Sequence, residues 1–124
     1  MPVESNFPAE WLRGVLGPCV LRILSDGPTY GYAIIGALAE AGLGDIKGGT
    51  LYPLLTRYEN RGLVSVEWRA GESGPGRKYF ALTSAGAEEL ALLQREWTYF
   101  SGSVTALLQA NNPAVISRKE NPHE

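Results

Sequence analysis

The stretch that most constrains the fold runs from Gly49 to Val64, GTLYPLLTRYENRGLV. Leu51, Leu54, Leu55 and Tyr58 recur at spacings of three and four, the stripe of a helix buried on one face. Opposite lie Thr50, Tyr52, Thr56, Arg57, Asn60 and Arg61. These are hydrogen-bonding, aromatic and cationic groups, the types that touch phosphates and base edges. Gly62 closes the helix, and the alternation of Val64, Val66 and Trp68 predicts a strand over 64–69. Gly71, Gly74, Pro75 and Gly76 supply a hairpin tip, with Arg77 to Thr83 as the return strand. A helix that passes through a glycine into a hairpin with a basic tip is the core of a winged helix-turn-helix. The expectation is a unit that binds DNA.

The remaining segments fit around that core. Residues 1–8 read as a flexible arm. A first helix is expected from about Ala9 to Ser25, with Leu12, Val15, Leu16, Cys19, Val20, Ile23 and Leu24 apolar. Gly17-Pro18 predicts a kink or a restart, because proline lacks a donor and crowds the carbonyl four residues back. Asp26-Gly27-Pro28 is a turn, after which Thr29 is expected to cap a second helix from Tyr30 to about Ala41. Ala33, Ile34, Ala37 and Leu38 should face inward, and Gly42 and Gly44 should end the helix. Pro53 places the start of the third helix near Gly49 or Thr50, since proline belongs in a first turn. Thr83 caps a long final helix, with Glu88 and Glu89 in its early turns.

That last helix carries Leu90, Leu93, Trp97, Phe100, Val104 and Leu107 at spacings of 3, 4, 3, 4 and 3. This is a heptad seam, which prefers another helix as its partner. The chain therefore divides into an arm (1–8), a winged helix-turn-helix domain (9–83), a dimerisation helix (84–110) and a polar, disordered tail (111–124). The fold class expected is mainly α with a two-stranded β wing and a long C-terminal dimerisation helix.

Composition narrows the function. A length of 124 residues with 44% apolar content fits one domain with a modest core. The net charge of −2 is unusual for a DNA-binding chain, but the charge is segregated. From Lys47 to Phe80 six cations (Lys47, Arg57, Arg61, Arg69, Arg77, Lys78) face three anions (Glu59, Glu67, Glu72), a surplus of three positive charges. The remainder then carries a surplus of five negative ones. Such a basic strip suits duplex DNA, although an ordinary solvated face has the same composition. The single cysteine excludes an internal disulfide framework, and neither a signal pattern nor a membrane span is evident. The expected location is cytoplasmic.

Enzymatic chemistry lacks residues to carry it. The one histidine, His123, lies next to the C-terminus, and Cys19 sits within an apolar helix face. Neither a phosphate-cradling glycine loop nor metal-ligand spacing is present, so no cofactor and no metal are expected. Tyr30-Gly31-Tyr32 opens the second helix. Thr29 and these tyrosines could bring its N-terminus to a DNA phosphate, or one tyrosine could pack in the core with Gly31 allowing close approach. Arg77 and Lys78 would reach a flanking backbone or a minor groove, or form a solvated hairpin end. Trp97 is either seam core or an indole that splays two helices and walls a cavity.

Taken in order, the motifs resemble the PadR family of bacterial transcriptional regulators. The residues that carry the resemblance are Gly27 to Tyr32 (GPTYGY), Gly49 to Leu55 (GTLYPLL), Gly62-Leu63-Val64, Gly76 to Phe80 (GRKYF), and Leu82-Thr83 with Gly86. The resemblance extends over about residues 12–108, most of the chain. The single short C-terminal helix is similar to the smaller subfamily, which includes repressors of multidrug exporters. The resemblance implies a homodimeric repressor that binds a near-palindromic operator in double-stranded DNA, without membrane association. It also implies an effector pocket for a planar aromatic compound at the dimer interface, with Trp97 at the matching place. The indole within the seam extends that expectation to Phe100, Leu93 and Trp11 as flanking residues. Gly17-Pro18 departs from the family's uninterrupted first helix. A winged-helix protein-interaction module that does not bind DNA is the alternative reading of the same fold.

Overall fold

A computed structural model describes residues 7–71 and 74–111. Its elements are α1 (Ala9–Leu24), β1 (Thr29–Tyr30), α2 (Gly31–Glu40), α3 (Gly48–Asn60), β2 (Val64–Arg69), β3 (Arg77–Leu82) and α4 (Ser84–Leu108). The expected arm up to residue 6 and the expected tail from residue 112, His123 included, lie outside the described residues. The chain divides into two compact units, Met1–Ala91 and Leu92–Glu124.

The first unit is organised by its leucines. Leu16, Val20, Leu21 and Leu24 of α1 meet Ile34 and Leu38 of α2 and the predicted stripe Leu51, Leu54, Leu55 and Tyr58 of α3 in one core. Each such side chain contributes about 1.5–3 kcal/mol when fully buried. Val64 and Phe80 close the core from the sheet side, and Leu90 completes it from the first turns of α4.

Two helix ends share one device. Gly42 and Gly62 have φ of 92° and 77°, a conformation that side chains with a Cβ rarely adopt. Beyond Gly62, the Leu63 amide donates to the Tyr58 carbonyl and the Gly62 amide to that of Glu59. Leu43 and Gly42 do the same for Leu38 and Ala39. These paired bonds satisfy the last carbonyls of α3 and α2 and turn the chain sharply. α3 consequently delivers its chain straight into β2, as expected from Gly62.

Four local expectations need correction. α1 runs unbroken through Pro18, so there is no restart. The carbonyl that Pro18 crowds belongs to Gly14, whose backbone can tilt. Gly17 is set by packing instead, since a Cβ there would overlap the Tyr58 hydroxyl. Thr29 does not cap α2, whose N-cap residue is Tyr30 and which has no side-chain cap. Thr29 and Tyr30 pair with Phe80 and Tyr79 instead, so the wing belongs to a three-stranded antiparallel sheet in the order β1-β3-β2. Finally, α3 begins at Gly48, which puts Pro53 past the first turn. The Lys47 carbonyl starts that helix by accepting from the Thr50 and Leu51 amides, both at 3.0 Å.

Thr83 caps α4 as expected. Its Oγ1 accepts from the Gly86 amide at 3.0 Å and donates to the Gly62 carbonyl at 2.7 Å. The Thr83 amide also donates to the Leu63 carbonyl. One residue thereby ties the start of α4 to the end of α3.

Candidate nucleic-acid interface

α3 presents its polar face outward. At 3.6 residues per turn, the direction opposite the buried stripe falls on Gly49, Pro53, Thr56 and Asn60. Tyr52 flanks that direction on one side, with Thr50, Arg57 and Arg61 on the other, and all eight residues are exposed.

Tyr52 leans toward the start of α2. Its ring packs at 3.3–3.4 Å from the place of a Cβ on Gly48, and its hydroxyl occupies the space that a side chain on Gly31 would need. Any larger residue at position 31 would evict it. With Tyr30, Gly31 and Tyr32 from β1 and α2, and Arg77 and Lys78 from β3, Tyr52 lines a shallow depression of about 440 Å3. The first amides of α2 have no intrahelical acceptor, and neither a capping side chain nor an acidic residue occupies its first turn. Free amides and two cations around a concave surface favour an anion.

The basic strip resolves into paired and unpaired charges. Lys47 donates to Asp45 at 2.7 Å, and that carboxylate holds the ammonium above its ordinary pKa. Arg61 meets Glu89 at 3.5 Å and lies over the Tyr58 ring at 5.8 Å. Arg69 Nε donates to Glu67 at 2.7 Å. Among the described residues Arg57, Arg77 and Lys78 make no ion pair, which leaves them available to phosphates.

The rings beneath the wing form a ladder. The Arg77 guanidinium lies 4.1 Å from the Tyr30 ring, and Tyr30 meets Tyr79 edge-on at 5.5 Å. Arg69 lies 4.1 Å from the Tyr79 ring. Sequence reasoning named Tyr30, Tyr32 and Arg77, weighed Gly31 as a point of close approach and counted Arg69 in the basic strip, but missed Tyr79 as the rung between Arg69 and Tyr30. That placement depends on a two-residue strand too short to show any period.

Among the other named residues, Thr29 is half-buried and hydrogen-bonded into the sheet, and Arg61 is occupied by Glu89. Burial pushes the Cys19 thiol up, which disfavours the thiolate a nucleophile requires. No group of three or more His, Cys, Asp or Glu among the described residues could hold a metal. No helix among them is long and apolar enough to cross a membrane.

In the second unit the seam residues face solvent. Trp97, Phe100, Val104 and Leu107 are 49%, 59%, 38% and 66% exposed, and Leu93 is half-buried. The Trp97 and Phe100 ring centroids lie 6.1 Å apart with a 47° tilt. On α1, Trp11 is 61% exposed.

A leucine-backed helix exposing polar groups, a glycine-set turn and a wing with unpaired cations define a winged helix-turn-helix regulator. The sequence model of the transcriptional regulator PadR-like family matches residues 20–92. Protein X of Lysinibacillus sphaericus, uncharacterised, is 31% identical over 91 residues, 72% of this chain and 84% of its own length. A PadR-like transcriptional regulator from Bacillus cereus superposes with a TM-score of 0.71 at 36% identity, over 81% of this chain and 97% of that one. A PadR family regulator from Eggerthella lenta gives 0.71 at 38% identity, over 83% and 86%. The chain belongs to the PadR-like family of transcriptional regulators. Its work is therefore DNA-binding regulation and not catalysis.

Proposed function

We propose that this regulator is a homodimeric, ligand-responsive repressor of a near-palindromic operator, with α3 in the major groove and the wing on the flanking backbone. The observation that carries the reading is the convergence of Tyr52, Arg77 and Lys78 on the uncapped start of α2. Phosphate held there would fix the register of α3, leaving Thr50, Thr56 and Arg57 to meet base edges or the next phosphate. Arg61 is a weaker contributor, because Glu89 already engages it.

The exposed row on α4 supports the dimer. Trp97, Phe100, Val104 and Leu107 of two copies would bury apolar surface worth about 25 cal/mol per Å2. The same row supports an effector site, in which Trp97 and Phe100, with Leu93 on the same helix, receive a planar aromatic compound. A ligand between two indoles would alter the angle of the two α4 helices, with a typical coupling of about 1–3 kcal/mol.

The test is binding of DNA from upstream of the protein's own gene, followed by fluorescence anisotropy across a salt series. The three unpaired cations of the basic strip, Arg57, Arg77 and Lys78, predict for a dimer a slope of log K against log salt of about −5. Binding that ignores salt would oppose the reading. Titration with planar aromatic dyes tests the effector site. Trp97→Ala should lose dye affinity, and equal affinity in parent and variant would remove the pocket.

A further inference from the structure

We propose that Tyr30 is a positioning residue that holds Arg77 in place for a DNA phosphate, as one rung of the ladder Glu67–Arg69–Tyr79–Tyr30–Arg77. This rests on the DNA-binding reading above and assigns Tyr30 a different task from direct contact.

The two ends of the ladder differ in charge. Glu67 engages Arg69 Nε at 2.7 Å, so the inner guanidinium is both neutralised and anchored. Arg69 lies over Tyr79 at 4.1 Å, Tyr79 meets Tyr30 edge-on, and Tyr30 carries Arg77 at 4.1 Å. Arg77 is the outer end and pairs with no carboxylate among the described residues. The backbone explains why such support is needed. Arg69 and Arg77 are direct cross-strand partners in the β2–β3 register, and like charges placed opposite each other repel. Without the rings that repulsion would swing Arg77 through many rotamers. Two π faces spread the charges apart and hold each guanidinium by cation–π attraction. β1 exists to put Tyr30 there: its two residues pair only with β3, in the register Tyr30 to Tyr79.

A pre-placed arginine binds phosphate without first losing its rotamer freedom. Removing the Tyr30 ring should therefore weaken DNA binding about 2- to 12-fold per half-site, the effect of immobilising one rotamer-rich side chain. The positive charge remains, so the salt slope should not change. Arg77→Gln should weaken binding and also lower the slope by about 1.8, one phosphate contact from each protomer of the dimer.

The experiment is a double-mutant cycle on operator DNA with full-length protein, using Tyr30→Ile (a strand former without a π face), Arg77→Gln and the double variant. Tyr30→Phe serves as the ring-preserving control, and thermal melting checks each fold. The expected result is parental affinity for Tyr30→Phe, a loss at unchanged salt slope for Tyr30→Ile, and no further loss when Tyr30→Ile is added to Arg77→Gln. If Tyr30→Ile melts early, Tyr79→Leu removes the supporting rung instead and should give the same pattern. Equal losses from Tyr30→Ile with and without Arg77 would overturn the inference while leaving DNA binding intact. A loss in Tyr30→Phe as large as in Tyr30→Ile would assign the hydroxyl a direct contact and overturn it too. A parent protein that binds no DNA would instead bring down the functional reading beneath it.

Discussion

Gly31→Ala probes the cleft without removing any group that binds. A Cβ at position 31 would overlap the Tyr52 hydroxyl and lie 2.6 Å from Tyr52 Cε1. Those atoms are the far end of a side chain that is 45% exposed, so the ring can swing into solvent at little cost. Alanine in the first helical position also gains up to about 1 kcal/mol over glycine through propensity and a stiffer unfolded chain. Net stability should then change by no more than about 1 kcal/mol. Operator binding should suffer far more, because the displaced hydroxyl leaves the start of α2. A hydrogen bond to a charged group is worth about 1.5–3 kcal/mol, roughly a 10- to 150-fold loss of affinity per half-site. Thermal melting paired with anisotropy on operator DNA separates the two effects. In a Tyr52→Ala background, Gly31→Ala should have no further effect on binding. Parental affinity in Gly31→Ala alone would refute the cleft as a phosphate site.

The remaining expectations concern the frame and the seam. Gly86→Ala would drive a Cβ into the Leu63 carbonyl oxygen, which as backbone cannot yield, so about 1–3 kcal/mol and about 4–24 °C of Tm should be lost in a thermal melt. Thr83→Ala removes both the α4 cap and the donor to the Gly62 carbonyl, and should cost about 0.5–2 kcal/mol in urea unfolding, with Thr83→Ser close to parental. Leu107→Glu places a charge on a 66% exposed seam position, so the protomer should melt normally while sedimentation reports a monomer. A stable dimer would mean that α4 associates through a different face.

The parts legible in the sequence are those set by period and punctuation. The α3 stripe, the exit through Gly62, the β2 strand and the Thr83 cap all follow from side-chain spacing and one left-handed glycine. The misread parts depend on tertiary contact. Pro18 looked like a break, but the sequence alone does not weigh the packing of Gly17 on Tyr58 against a lost hydrogen bond. Thr29 looked like a cap because a threonine before a helix usually is one. Its pairing with Phe80 was invisible, since the two residues are 51 positions apart in the chain. The cleft shared this fate. Its tyrosines and cations were mostly named, but the fit of Tyr52 against Gly31 and the stacking of Arg77 on Tyr30 were not. The charge strip was legible only as a sum, and its division into paired and free cations needed the positions of Asp45, Glu67 and Glu89.

The most direct test of a dimeric reader of DNA is a hydroxyl-radical footprint on the operator fragment, taken with the stoichiometry of the complex. Two protomers joined through α4 should protect two half-sites centred about 34 Å apart, one helical turn, or a multiple of that. Protection of a single patch by one protomer would contradict the account.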